Sequence, residues 1–357
     1  MAKQEYTIGD HDQKTQHAPG PGQHGMRLGE KANNFGQTMK RLVAYCNSYI
    51  PVILIALVLA FAGAALNVIG PDQLSKITDV IQEGMMTKID LNAVGRVGIV
   101  LAILYGSGLL FNYIQGFMMA TVTQRITKKM RTDISLKINK VPLKYFDSTS
   151  YGNVLSRVTN DVDTIGQTLN NSLGMLVSSV ATLIGAIIMM FYTNWIMAIT
   201  GIMATMIGFL LMTLIMKHSQ KYFVAQQKEL GLINGHIEEV YAGHNVVKVY
   251  NGEKEAKEVF RDSNKRLYEN AWKSQFMSGL MMPVMQFIGN FGYVAICVVG
   301  AVLVTYDMIT IGIIVAFMVY IRLFTQPLSQ LAQAATNLQS TAAASERVFE
   351  FLAEEEL

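Results

Sequence analysis

The chain has 357 residues, 51% of them hydrophobic and 15% charged, with a formal net charge of +3 at neutral pH. A typical soluble domain is about 25% charged, so this composition argues against a soluble globular protein, and so small a net charge argues against a nucleic-acid surface. Cys46 and Cys297 are too few and too far apart for a disulfide framework or a metal site.

The first 25 residues are rich in Gly, Pro, Gln and His. Such a segment cannot bury enough apolar surface to fold, and residues 1–34 are expected to be a disordered tail. Within it, Gly20-Pro21-Gly22-Gln23-His24-Gly25 matches the dinucleotide fingerprint. That motif works only between a strand and a helix, and neither flanks it here. His11, His17 and His24 read as solvated side chains rather than metal ligands. The polar start and the late first apolar run are unlike a cleavable signal peptide. Residues 35–48, with Lys40 and Arg41, read as an amphipathic elbow on the membrane surface.

Six apolar stretches follow, at about 50–69, 97–120, 173–192, 195–216, 279–305 and 308–324. A span needs about 20 such residues to cover ~30 Å of hydrocarbon. Inside lipid each backbone polar group must be satisfied within the chain, so the stretches are predicted to be helices. The fold class is an all-α membrane protein with six transmembrane helices.

Charge sets the expected topology. The loop over 121–172 carries Arg125, Lys128, Lys129, Arg131, Lys137, Lys140, Lys144 and Arg157, and the loop over 217–278 is similarly basic. The other side offers only Lys76, Lys88 and Arg96. The positive-inside bias places both long loops and both termini in the cytoplasm. The opposite connections are short: Thr193-Asn194 and Tyr306-Asp307 each require an antiparallel hairpin. The first outer loop, 71–96, is expected to contain helical extensions of its two spans.

Both long loops read as continued helix. Ile126, Met130, Ile134 and Ile138 recur every four residues, and Val154, Val158, Val162, Ile165 and Leu169 form a second stripe. Spans two and three should run on as helices of roughly 40 residues, ~60 Å long at 1.5 Å per residue. The second loop repeats the plan, descending to about Tyr241 and climbing again from about Lys254. Two long helices meeting at a short turn form a stiff lever. Tyr145 and Phe146, beside Asp147 at the first tip, read as an exposed docking knob or as packing between the lever helices.

Three blocks carry a resemblance. The first is Val141-Pro142-Leu143-Lys144-Tyr145-Phe146-Asp147, then Gly152, then Ser156-Arg157-Val158-Thr159-Asn160-Asp161-Val162-Asp163. The second is Glu238-Glu239-Val240-Tyr241-Ala242-Gly243, then Val246-Val247-Lys248-Val249-Tyr250. The third is Thr310-Ile311-Gly312, Pro327-Leu328 and Ala344-Ser345-Glu346-Arg347-Val348-Phe349. In this order they resemble the transmembrane domain of type I ATP-binding cassette (ABC) exporters, over about 35–353, in the bacterial multidrug and lipid exporter branch. Tyr306-Asp307 departs from the pattern, where a glycine turn is expected.

The resemblance implies short coupling helices that dock on nucleotide-binding domains. The first would comprise Tyr145, Phe146, Asp147, Ser148 and Gly152, and the second Val240, Tyr241, Ala242, Gly243, His244 and Asn245. It also implies a second transmembrane domain, in a homodimer or heterodimer, and a bacterial cytoplasmic membrane. No G-x-x-x-x-G-K-[ST] phosphate loop occurs, so this chain should bind no cofactor and hydrolyse no ATP by itself. ATP and Mg are expected in a nucleotide-binding domain, for which residues 354–357 would begin the linker. No catalytic residues and no metal site are expected.

Polar residues inside spans usually face a bundle interior. Asn67, Asn112, Gln115, Gln286, Asn290 and Arg322 are therefore candidates for a cargo cavity, with Met282 and Met318 because flexible thioethers suit promiscuous apolar surfaces. Arg322 can equally snorkel to headgroups. The expected function is export of amphipathic or hydrophobic compounds (drugs, lipids or peptides) by ATP-driven alternating access. The alternative is a non-transporting or channel-like membrane protein on the same scaffold.

Overall fold

A computed structural model describes residues 34–85, 88–148 and 151–356, without the side chains of Asp147, Ser148, Tyr151 and Asn153. The expected tail of residues 1–34, apart from Asn34, lies outside the described residues. Among those described there is no strand, and six helices are long and apolar enough to cross a membrane: Asn47–Gly84, Leu91–Ile138, Val154–Thr193, Trp195–Ala242, Glu253–Thr305 and Ile311–Leu352.

The chain opens with α1 (Phe35–Tyr45), a single 3₁₀ turn (Asn47–Tyr49) and α2 (Ile50–Gly84). Pro51 sits in the first turn of α2, where a missing N–H costs nothing. The second span, α3 (Leu91–Ile138), starts at Asp90, whose carboxylate accepts from the backbone N–H groups of Asn92 (2.9 Å) and Ala93 (3.1 Å). After a break come α4 (Leu143–Ser148) and α5 (Tyr151–Ser156). The chain then rises through two short π-helical turns, Arg157–Asp161 and Thr168–Ser172, that flank α6 (Val162–Gln167) and lead into α7 (Leu173–Thr193). A one-residue hinge at Asn194 turns it into α8 (Trp195–Ala242), the Asn194 side chain capping Met197 N–H at 3.0 Å. A small helix, α9 (His244–Val249), joins α8 to α10 (Glu253–Thr305), and α11 (Ile311–Leu352) completes the bundle. At 53 residues α10 is roughly 80 Å long, longer than the ~60 Å expected of these levers.

The turn between α10 and α11 explains two sequence features. Asp307 has φ 54°, a left-handed conformation that aspartate tolerates better than most non-glycine residues, so the missing glycine is replaced by the next best residue. Asp79 of α2 reaches across to the start of α11, where its carboxylate accepts from Gly312 N–H (3.0 Å) and Thr310 Oγ1 (3.1 Å). A Cβ at Gly312 would collide with this carboxylate and with the Ser75 carbonyl. That crowding accounts for the glycine of Thr310-Ile311-Gly312.

Two cores hold the helices. At the end of the spans near Thr193 and Thr305, Met190, Met197, Ala198, Ile296, Ala316, Phe317 and Tyr320 are fully buried between α7, α8, α10 and α11. Beneath the first lever, Ile126, Met130 and Ile134 from α3 face Val154, Val162 and Ile165, with Ala344, Val348 and Phe351 of α11 filling the space between. Both apolar stripes read in the sequence therefore point into one core. Burying a large aliphatic side chain contributes about 1.5–3 kcal/mol, so this core suffices to continue α3 and α11 beyond the spans as packed helices. The α8–α10 hairpin differs. Beyond the spans its helices pack on each other, bridged by Glu229–Arg266 (3.1 Å) and by a contact between His236 and the Ala256 carbonyl (2.9 Å).

Helix α1 does more than lie on a surface. Leu42 is buried in the lever core, Tyr45 donates to Asp133 at 2.6 Å, and the Lys129 ammonium sits 4.6 Å from the Tyr45 ring centre. Burial and the Asp133 acceptor both push the Tyr45 phenol up. Cys46 is buried alongside, and burial raises its thiol pKa to about 11. At neutral pH it then carries roughly a hundredfold less thiolate than an ordinary cysteine. A Cys297→Ser variant, which leaves Cys46 as the sole thiol, should therefore react with maleimide at pH 7 at least about a hundredfold more slowly when folded than in detergent-denatured form. Equal rates would show that α1 is not docked.

Candidate functional site

The first elbow is built inward. Tyr145 and Phe146 of α4 are half-buried, with their rings edge-on at 5.6 Å, and Tyr145 lies 5.7 Å from Phe351 of α11. Arg157 donates to the Tyr145 hydroxyl at 2.9 Å and its guanidinium lies 5.8 Å from the Phe351 ring centre. The expectation of an exposed aromatic knob is corrected here, because Phe351 offers these rings an apolar neighbour that solvent does not. The elbow instead presents Leu143, which is 78% exposed, with Leu155 and Gly152. Asp147 and Ser148 close α4.

The second elbow is built outward. Val240, Tyr241 and Ala242 end α8, Gly243 forms the turn, and His244 and Asn245 open α9, which extends to Val249. The elbow is thus centred a few residues later than the sequence placed it. Tyr241 and Tyr250 are 85% and 81% exposed, with Val246 and Val249 also exposed beside them. Asn251 adopts φ 54° and the Gly252 N–H bonds back to the Val247 carbonyl at 2.8 Å, fixing the tip. An aromatic and aliphatic cluster on a stiff hairpin has the form of a docking surface.

A polar ladder that the sequence reading missed joins α11 to the helix climbing from the first elbow. Gln330 accepts from Ser179 (2.7 Å), Asn337 donates to Ser172 (3.2 Å), Thr341 meets Thr168 (2.5 Å), and Arg347 clasps Asp161 through Nε–Oδ2 (3.0 Å) and Nη2–Oδ1 (2.5 Å). The spacings are 7, 4 and 6 along α11 and 7, 4 and 7 along its partner, those of two helices running antiparallel in register. Asp161 is 8% exposed, so its charge is stabilised mainly by this bidentate arginine. Beyond α11, Lys137 bonds the Glu354 carbonyl and, with Lys140, the Glu356 carboxylate at 3.2 Å. The Lys137 and Lys140 hydrogen bonds hold the Glu356 carboxyl below the usual carboxylate range. The end of α11 is fastened to the first lever along its whole length. The pattern was present in the sequence as small polar residues at 161, 168, 172 and 179, but only the pairing reveals it.

The cavity candidates fall into separate groups. Asn67, Asn112 and Gln115 belong to the packing of α2, α3 and α7. Asn67 donates to the Gly63 carbonyl at 3.0 Å, a Cβ at Gly63 would lie 3.3 Å from the Asn112 side-chain oxygen, and Gln115 fills the space that a side chain at Gly174 would need. Met282, Gln286 and Asn290 form one exposed stripe on α10. Met318 is half-buried on α11, and Arg322 is exposed one turn further along. Among the described residues no cluster of three metal-ligating side chains occurs.

The comparisons agree with this geometry. The family model described as the ABC transporter transmembrane region matches residues 53–328. The chain belongs to this family. The ABC transmembrane region is 38% identical over 268 residues to a fatty acid ABC transporter ATP-binding/permease protein of Mycobacterium tuberculosis, covering 75% of this chain and 42% of that one. It is 31% identical over 336 residues to the ABC transporter ATP-binding protein YfiC of Bacillus subtilis, covering 93% and 54%. It is 27% identical over 262 residues to a multidrug resistance ABC transporter ATP-binding and permease protein of Lactococcus lactis, covering 73% and 44%. The chain thus spans about half the length of these relatives. Fold class and family agree with the type I ABC exporter transmembrane fold expected from the motifs.

The Arg347–Asp161 pair can be tested by a double-mutant cycle on thermal unfolding. Asp161→Asn and Arg347→Gln should each destabilise by about 2 kcal/mol, since each leaves a buried or half-buried polar partner unsatisfied. The double variant should cost at least about 1 kcal/mol less than the sum. Strict additivity would mean that the pair does not couple the lever to α11.

Proposed function

We propose that this ABC transmembrane region is the membrane half of an ATP-driven exporter of amphipathic or hydrophobic compounds, with two copies or two related chains enclosing a cargo path. The supporting observation is the pair of unlike elbows. The first is fastened to the end of α11 by the polar ladder, and the second stands free with Tyr241, Val246, Val249 and Tyr250 uncovered. Motion of a cassette joined after α11 would be carried to α3 and α6–α7 by the ladder. Motion of a cassette seated on α9 would be carried to α8 and α10.

The chain's own residues supply neither a phosphate loop nor a cluster of three metal-ligating side chains among those described. ATP and magnesium would be held by the nucleotide-binding partners, so this chain's contribution is mechanical. Its coupling surfaces would be Leu143, Gly152 and Leu155 at the first elbow, and the α9 cluster at the second. The basic loops favour a cytoplasmic location for both elbows, in a bacterial cytoplasmic membrane. Fatty acids and drugs, which the names of two relatives indicate as their cargo, set the expected cargo range.

In a transporter complete with its cassettes, Tyr241→Ala combined with Tyr250→Ala should lower ATP-dependent efflux at least tenfold while leaving cargo-independent ATP hydrolysis within about threefold. This is the pattern expected when a docking anchor worth about 2 kcal/mol or more is lost. Unchanged efflux would refute α9 as a coupling helix. Flux that continues without nucleotide would refute the exporter reading itself.

A further inference from the structure

Helix α11 leaves the short turn after α10 at Ile311, and Arg322 lies 11 residues further on, roughly 16 Å along the axis. That is within a ~30 Å hydrocarbon layer entered near Ile311, toward the inner end of the apolar stretch 308–324. Arg322 is exposed and makes no ion pair among the described residues, and none of the six apolar stretches contains an acidic residue to neutralise it. A permanently charged guanidinium at this depth needs water or an anion.

The surface around it is divided. Val315, Met318 and Val319, all partly exposed, lie on its side of α11 toward Ile311, whereas Gln326, Ser329 and Gln333, all exposed, continue the same face away from it. The spacing of 4, 3 and 4 residues keeps these polar groups in one stripe. A helix face with an arginine and two glutamines within or beside the hydrocarbon does not suit lipid tails, and lines a hydrated space.

The geometry points to Arg322 as the anion anchor of the cargo path. It receives the oxyanion headgroup of a single-chain amphipath, carboxylate or phosphate, while the apolar turn above it receives the chain and the Gln326–Ser329–Gln333 stripe leads the headgroup in. Arginine fits both oxyanions because its planar fork donates two parallel hydrogen bonds. This assignment rests on the exporter reading above and narrows its cargo.

The test uses the dimeric transporter with its cassettes, with oleate, oleyl phosphate and the uncharged oleyl alcohol as probes. Binding is measured without nucleotide, and ATP-dependent movement in proteoliposomes. Arg322→Met should weaken binding of oleate and oleyl phosphate at least tenfold and leave oleyl alcohol within about twofold, as expected when one charge-assisted bidentate contact is lost. Arg322→Lys, which keeps the charge and loses the fork, should fall between. If only one of the two anions responds, the headgroup is that one. The proposal is overturned if Arg322→Met leaves both anions unaffected, or shifts the alcohol equally. Anion binding that depends on Arg322 without ATP-dependent movement of any probe would uphold the anchor and overturn the exporter reading instead.

Discussion

A helix that enters hydrocarbon cannot leave backbone N–H or C=O groups unpaired, and from this constraint the rest of the structure follows. Once a span is helical, continuing it costs little if the next turns bury an apolar stripe, because helix nucleation, the expensive step, has already occurred. Ile126, Met130 and Ile134 provide that stripe for α3, and Ala344, Val348 and Phe351 provide it for α11. Stiff rods extending beyond the spans are thus a by-product of crossing the membrane. What required separate provision was the means of holding rods together where neither lipid nor a large core constrains them.

The molecule solves that problem in two ways. Around the first elbow, helices are joined by buried polar pairs and a bidentate ion pair, interactions that demand one register and reject a slip by a turn. Asp161, Thr168 and Ser172, spaced 7 and 4 residues apart, fall on the one helix face that meets α11. Around the second elbow, α8 and α10 rely on each other, with an exposed ion pair that contributes little. One lever is committed to its own chain, and the other is available to something outside it.

Much of this was legible in the sequence. Hydropathy displayed six spans, the four-residue recurrence of isoleucines and valines displayed the lever core, and three motif blocks displayed the family. The second elbow was found to within a few residues because its motif block, Glu238 to Gly243 and Val246 to Tyr250, lies there. What could not be read were the partners of side chains. Tyr145 and Phe146 looked like a surface knob because nothing local shows that Phe351, some 200 residues later, comes to rest against them. The small hydroxyl and amide residues of the ladder looked like ordinary polar filler. Their significance lies in pairing across 150 to 190 positions, which no window on one segment detects. The structure groups the cavity candidates by position: Asn67, Asn112 and Gln115 lie where α2, α3 and α7 meet, with Asn112 still exposed, and Arg322 is exposed on α11.

The uncovered cluster at α9 has a colloidal consequence. Two tyrosines and two valines displayed together in water form a sticky tip, and the same apolar area that rewards a proper mate also rewards another copy of itself. In detergent solution the chain would tend to gather tip to tip, outside the detergent belt, where added surfactant gives little protection.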